Sequence, residues 1–254
     1  MDEYYIEGGF PVKGTVKASG NKNAALPCIA AAALTDQPIT LKNIPEIEDV
    51  SVMFEIFKSF GGTIIKRAQN EYTLQLKTVT GYEVPAPLAQ KIRASILFAG
   101  PLLARHGKVM MTPPGGDVIG RRRLDTHFLA LTELGAQVKI NGHFLFTANK
   151  LIGQDIFLDE ASVTATENAV MAAVTAEGET VITNAASEPH IQDLCKLLNA
   201  MGAKISGIGS NILTIQGVPQ LHGAEYRIGA DYMEVGSFIG LAAVTHGSLT
   251  ITDI

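Results

Sequence analysis

The chain has 254 residues, 46% apolar and 18% charged, with 20 basic against 25 acidic side chains and a formal net charge of −5. That balance supplies a core, leaves little material for disorder, and lacks the basic field with which nucleic-acid binders neutralise phosphates. Only two cysteines, no signal-peptide start and no apolar run near the ~18 residues of a membrane span exclude a disulfide framework, and point to a soluble cytoplasmic protein of one or two domains with no membrane partner.

In chain order, Tyr4–Ser19 holds two strand-like runs around Gly8-Gly9. Ser19-Gly20-Asn21-Lys22-Asn23-Ala24-Ala25-Leu26-Pro27 follows, a small-residue turn leading into an apolar helix with a lysine at the junction. Helix N-termini carry unpaired N–H groups and partial positive charge, so such a junction suits an anion. Two readings stay open. Either Asn21 and Asn23 are simple caps with Lys22 solvated, or Lys22 and Asn23 touch a ligand.

From Ala30 to Leu41 an Ala-rich helical stretch turns into a β-like run, and the pattern returns at Gly100–Met111, Ala172–Thr183 and Leu241–Thr252. After the first three copies a helix ends at a glycine, in Phe60–Ile65, Leu134–Ile140 and Met201–Ser206, and a period-2 hairpin follows. Gly61, Gly135 and Gly202 stand where a helix end wants a residue tolerant of positive φ. The units read helix, strand, helix, strand, hairpin, strand, at a spacing of roughly 70 residues, longer than the common solenoid repeats. Such mixed units argue an α/β or α+β fold. Lys77–Ala89 and Gly217–Gly223 are candidate linkers. The fourth copy stops after its first helix and strand, so the expectation is a truncated chain, or one that needs partner material. Tyr4–Ser19 is then the candidate to pair with the orphan end at Thr250-Ile251-Thr252.

Three further segments carry polar groups to helix starts or loops. Arg93-Ala94-Ser95 opens the second unit's helix, and Asp159–Asn168, with Ser162, Thr164 and Thr166, opens the third's. Their positions match that of Lys22-Asn23, so the three helix starts are expected to converge on one side of a three-fold arrangement, although taken singly Ser162, Thr164 and Thr166 read as ordinary caps or turn residues. Thr112–Asp125 is a long Pro/Gly-rich segment with one carboxylate flanked by glycines, Asp117, followed by Arg121, Arg122 and Arg123. Loops of that length are functional or mobile, and arginine forks suit phosphate or carboxylate. A solvated surface loop is the alternative. The six histidines are scattered, no Cys/His set has metal-ligand spacing, and neither a Walker A nor a G-x-G-x-x-G motif occurs.

Taken together, Gly20–Pro27, Ile92–Arg105, Pro114–His127, Asn184–Leu194 and Ala230–Phe238 resemble, in family order, the UDP-N-acetylglucosamine enolpyruvyl transferases. The shikimate-pathway relative is matched less well at the opening motif. The resemblance implies an α/β (α+β) fold with an inside-out lobe of three βαβαββ-type units over residues 22–230. Residues 1–21 and 231–254 would belong to an incomplete second lobe whose remainder is missing. It implies transfer of the enolpyruvyl group of phosphoenolpyruvate to the 3-hydroxyl of UDP-N-acetylglucosamine, with no cofactor. By motif position, Lys22, Arg93 and Arg122 would bind phosphoenolpyruvate and Asn23 the sugar nucleotide. Arg123, Leu124, Asp125 and Thr126 would border the uracil, and Ser162, Val163 and Thr164 the diphosphate. Asp117 stands at the lid position where the family's familiar members carry a reactive cysteine, and would be the proton donor there. Neighbouring arginines act to lower its pKa and water exclusion to raise it. The Asp-for-Cys exchange further implies resistance to the epoxide fosfomycin. Glu160 and Arg123 depart from the residues many members carry.

Overall fold

The computed structural model describes residues 3–116, 120 and 123–254. Three helical columns form the interior. Helix α1 (Lys22–Ala31) has every residue from Ala24 to Ala31 buried, and α6 (Val163–Ala173) every residue from Ala165 to Ala173. Between them run a 3-10 segment (Arg93–Phe98) and α4 (Ala99–His106), buried from Ser95 to Leu103. Helices apolar all round belong in a core, and their alanines and glycines let the backbones approach closely. A β-carbon on Gly100 would lie 2.6 Å from the Asn168 carbonyl oxygen.

Around this interior lie α2 (Glu48–Ser59), α5 (Asp125–Glu133) and α7 (Pro189–Ala200), and outside them three small sheets. Strands β2 (Ile39–Lys42), β3 (Thr63–Ala68), β4 (Glu71–Gln75) and β12 (Ala224–Arg227) make one sheet in the order β12-β2-β4-β3. Strands β8 (Asp155–Phe157), β9 (Glu179–Thr183), β10 (Lys204–Ser206) and β11 (Ile212–Gln216) make another, β8-β9-β11-β10. In both, the first pair is parallel and the others antiparallel. The middle sheet, from β5 (Lys108–Met111), β6 (Gln137–Ile140) and β7 (Phe144–Thr147), has the order β5-β7-β6, and its opening strand is reduced to a single parallel bridge, Glu83 to Met110. The expected unit is therefore present three times, but its first copy takes its opening strand, β12, from the far end of the lobe.

The helix-ending glycines adopt positive φ as expected, +94° at Gly61, +97° at Gly135 and +97° at Gly202. Each lets the last turn close before the hairpin begins. After β2 and β9 the chain turns instead on asparagines, Asn43 (φ 60°) and Asn184 (φ 61°). Both amides tie the adjacent opening strand, to the Ile228 carbonyl at 3.0 Å and the Leu158 carbonyl at 2.8 Å. In the middle unit the same position is Thr112, where the long Pro/Gly loop departs. At the opposite end of the helical interior, Arg105 donates to the carbonyls of Ala33, Thr35 and Lys77 at 3.0, 2.7 and 3.0 Å. These include backbone groups a helix end leaves unmet.

The segments entering and leaving this body run side by side. Asn21 N–H bonds the Gly229 carbonyl at 2.9 Å and Asp231 N–H the Ser19 carbonyl at 2.8 Å. Beyond them, β1 (Lys13–Lys17) pairs in parallel with β13 (Ser248–Thr252), and α8 (Tyr232–Val244) has no buried residue. The N-terminal piece thus pairs with the orphan end as expected. Only one of its two strand-like runs is a strand, because Tyr4–Phe10 meets no edge and stays exposed. The linker reading of Lys77–Ala89 also needs correction, since it holds the Glu83 bridge and the one-turn helix α3 (Ala86–Ala89). Among the described residues no helix is long and apolar enough to cross a membrane.

Candidate active site

The starts of the three interior helices open onto one cleft of about 200 Å³. Lys22 and Asn23 come from α1, Lys91, Arg93 and Ala94 from the segment before α4, and Val163, Thr164 and Glu167 from α6. Asp49 of α2 and Gly116 of the long loop complete the polar part of the wall. Convergence follows from the three-fold repeat: equivalent helix ends point the same way, so their unpaired N–H groups and partial positive charge add at one place.

Asn21 is the cap of α1, accepting the Ala24 N–H at 3.0 Å, and Asn23 lies inside the helix. Pro27 has no N–H to give the Asn23 carbonyl, so that helical bond is not made, and both residues face the cleft. Lys22 Nζ meets Asp49 Oδ2 at 3.0 Å, an ion pair absent from the sequence expectations. Nothing in the local pattern marks Asp49, which reads as an ordinary acidic first-turn residue.

Ser162 caps α6 through a long contact of 3.5 Å from the Ala165 N–H. Thr164 is held by a buried relay. Asn168 Oδ1 accepts the Gly100 N–H at 2.9 Å, which makes its nitrogen the donor, to the Ile96 carbonyl and to His127 Nδ1, both at 2.9 Å. The imidazole proton therefore sits on Nε2 and is given to Thr164 Oγ1 at 3.0 Å. That leaves the Thr164 hydroxyl proton free to serve the cleft. Burial first, and the Arg93 charge second, push His127 down to about 3, so the ring stays neutral.

Glu167 lines the cleft, 1% exposed, and among the described residues its Oε1 has no hydrogen-bond partner. Burial, and then the Glu188 carboxylate, hold its carboxyl well above the usual carboxylate range. The two cysteines, Cys28 and Cys195, are buried and burial pushes both thiols up, so neither is a ready nucleophile.

The long loop is anchored at its base. Gly115 N–H bonds the Ala89 carbonyl at 3.1 Å, and a β-carbon there would lie 1.8 Å from the Gln90 oxygen. Gly116 takes φ +95°. Asp117 and Arg122 lie outside the described residues. On the far side of the loop, the Arg123 carbonyl accepts from Arg93 Nη2 at 2.8 Å, and Arg123 pairs with Asp125. Leu124 precedes α5, and Thr126 is buried, donating to Asp159 Oδ1 at 2.6 Å. The structure thus brings Lys22, Asn23, Arg93, Val163 and Thr164 together with Ser162 adjacent. Arg123, Leu124, Asp125 and Thr126 sit at the start of α5, outside the cleft wall.

Comparison with known proteins follows the same lines. The chain is 70% identical over its whole length to a UDP-N-acetylglucosamine 1-carboxyvinyltransferase of Treponema denticola. It is 67% identical to one of Treponema pallidum and 54% identical, over 99% of the chain, to one of Borreliella burgdorferi. It spans about 60% of the length of these relatives. Among solved structures, the enolpyruvyl transferase NikO of Streptomyces tendae superposes with a TM-score of 0.79 at 25% identity, covering 92% of this chain and 56% of that one. An EPSP synthase of Acinetobacter baumannii superposes with a TM-score of 0.71 at 23% identity, over 91% of this chain and 53% of that one, which shows the shared fold. The sequence pattern of EPSP synthase (3-phosphoshikimate 1-carboxyvinyltransferase) matches residues 6–254, and with that span the chain belongs to this enolpyruvyl transferase family.

Proposed function

We propose that this chain supplies one lobe, residues 22–230, of an enzyme that moves the enolpyruvyl group of phosphoenolpyruvate onto the 3-hydroxyl of UDP-N-acetylglucosamine, in peptidoglycan precursor synthesis. One observation carries the reading: three helix starts bring Lys22, Lys91, Arg93 and Thr164 to a single cleft, in a chain 70% identical to a protein named for that transfer. Lys22, Arg93 and Arg122 take the phosphate and carboxylate of phosphoenolpyruvate. Asn23 contacts the sugar nucleotide, Ser162, Val163 and Thr164 the diphosphate, and Arg123, Leu124, Asp125 and Thr126 the uracil. Asp117 is the proton donor on the loop anchored at Gly115. A cytoplasmic site of action and fosfomycin resistance belong to the same proposal.

Residues 1–21 and 231–254 begin a second lobe. The fully unburied α8 supports this, as does the greater length of the relatives. The proposed partner is that second lobe, set across the cleft. Calorimetric titration with UDP-N-acetylglucosamine against shikimate 3-phosphate tests the reading. Binding of the first alone is expected, and preference for the second would sink it. The runner-up, a UDP-sugar binding module without catalysis, predicts the same binding but no phosphate release even when the second lobe is supplied.

A further inference from the structure

Glu167 is the most deeply buried ionisable group of the cleft, 1% exposed on its floor. Among the described residues its Oε1 has no hydrogen-bond partner. A buried polar atom left unpaired is costly, and one on the wall of a cleft gains its partner when the cleft is filled. The cleft is lined by charge from several elements, Lys22 on α1, Asp49 on α2, and Lys91 and Arg93 before α4, while Glu188 at the start of α7 acts on Glu167 itself. The thiols of Cys28 and Cys195 lie close enough to Glu167 to feel its charge. Asp49 already pairs with Lys22 at 3.0 Å. An anion entering between Lys22, Lys91 and Arg93 therefore meets a floor group that attracts it as an acid and repels it as a carboxylate.

We propose that Glu167 is a ligand-binding residue of this cleft that acts as a neutral carboxylic acid, donating its O–H to the anion held by Lys22, Lys91 and Arg93, so that occupancy of the cleft is coupled to a proton on Glu167. This rests on the cleft being the anion site proposed above. Where Glu167 is still ionised in the free chain, it takes the proton from solvent as the anion binds and returns it when the anion leaves. Burial and the Glu188 carboxylate favour the protonated form before any ligand arrives.

The test is calorimetric titration of the native chain, Glu167→Gln and Glu167→Leu with UDP-N-acetylglucosamine and, separately, inorganic phosphate, from about pH 6 to about pH 9 in buffers of different ionisation enthalpy. Native affinity is expected to fall toward the alkaline end of that range, with proton uptake on binding where Glu167 is ionised in the free chain. Glu167→Gln, which can donate but not ionise, flattens the profile. Glu167→Leu weakens binding about tenfold at the acid end. If the leucine variant does not fold, the isosteric glutamine variant decides alone. A native pH profile retained by Glu167→Gln, or native affinity in a folded Glu167→Leu, overturns the proposal and leaves the sugar-nucleotide reading standing. Phosphate binding with the Glu167-dependent profile, without binding of UDP-N-acetylglucosamine, does the reverse. Binding of neither ligand overturns both.

Discussion

His127 keeps a neutral ring because burial first, and the Arg93 charge second, disfavour the imidazolium. Its Nδ1 accepts from Asn168 and its Nε2–H is given to Thr164, in a site 1% exposed. The consequence for stability has a definite sign. The folded ring resists protonation down to about pH 3, against an ordinary value of 6.5. Between those values the unfolded chain binds the extra proton, so stability supplied by the neutral ring is present above pH 6.5 and is lost as pH falls toward 3. Urea unfolding of the native chain and of His127→Gln should show this. The native advantage is largest near neutrality and shrinks as the buffer is made acidic; an advantage that grows instead would mean the ring is charged in the fold.

Elements are held in register by a few buried side chains that reach across them. Asn168 of α6 binds the Gly100 N–H and the Ile96 carbonyl in the next helical column and His127 in α5. Asn168→Ala strands three buried partners at once, and with about 1–3 kcal/mol for each unmet group, partly relieved by relaxation, we expect a loss of roughly 2–4 kcal/mol in the free energy of urea unfolding. A loss below about 0.5 kcal/mol would show that water replaces the amide at no cost. The helix-ending glycines at 61, 135 and 202 were legible beforehand because positive φ is a demand of the local backbone, which glycine meets without strain. The matching turns on Asn43 and Asn184 carry the same kind of signal, and asparagine's tolerance of that conformation is where it could have been read. Thr112 breaks the series, and there the repeat gives up its short turn for the loop that leads to Asp117.

At the scale of the whole chain, one part is closed and another open. The three-unit body buries its helices. Helix α8 instead exposes Met233, Ile239, Leu241 and Val244 beside a two-stranded sheet of β1 and β13. A parallel pair of that size does not normally stand uncovered, and so many exposed apolar side chains on one helix drive association. We expect the chain to self-associate at roughly tens of micromolar in sedimentation velocity. Ile239→Lys with Val244→Lys should reduce that association and leave the main thermal transition in place. A native chain that sediments as a monomer would refute the expectation.

The amino-acid sequence by itself determined the repeat, the glycine-ended helices, the pairing of the N-terminal piece with the orphan end, and the family, because helix periodicity, turn chemistry and motif order are local properties of the chain. It also marked Lys22, Asn23, Arg93, Val163 and Thr164, which the fold gathers into one cleft. What it left undetermined is non-local. That β12, from the far end of the lobe, opens the first unit depends on which sheet edge is free after the lobe closes. That Asp49 faces Lys22, and that Glu167 is buried in the cleft with no Oε1 partner among the described residues, depends on helices whose starts are far apart in sequence. Burial and neighbouring charge are set by what the chain packs against, and only the tertiary structure decides that.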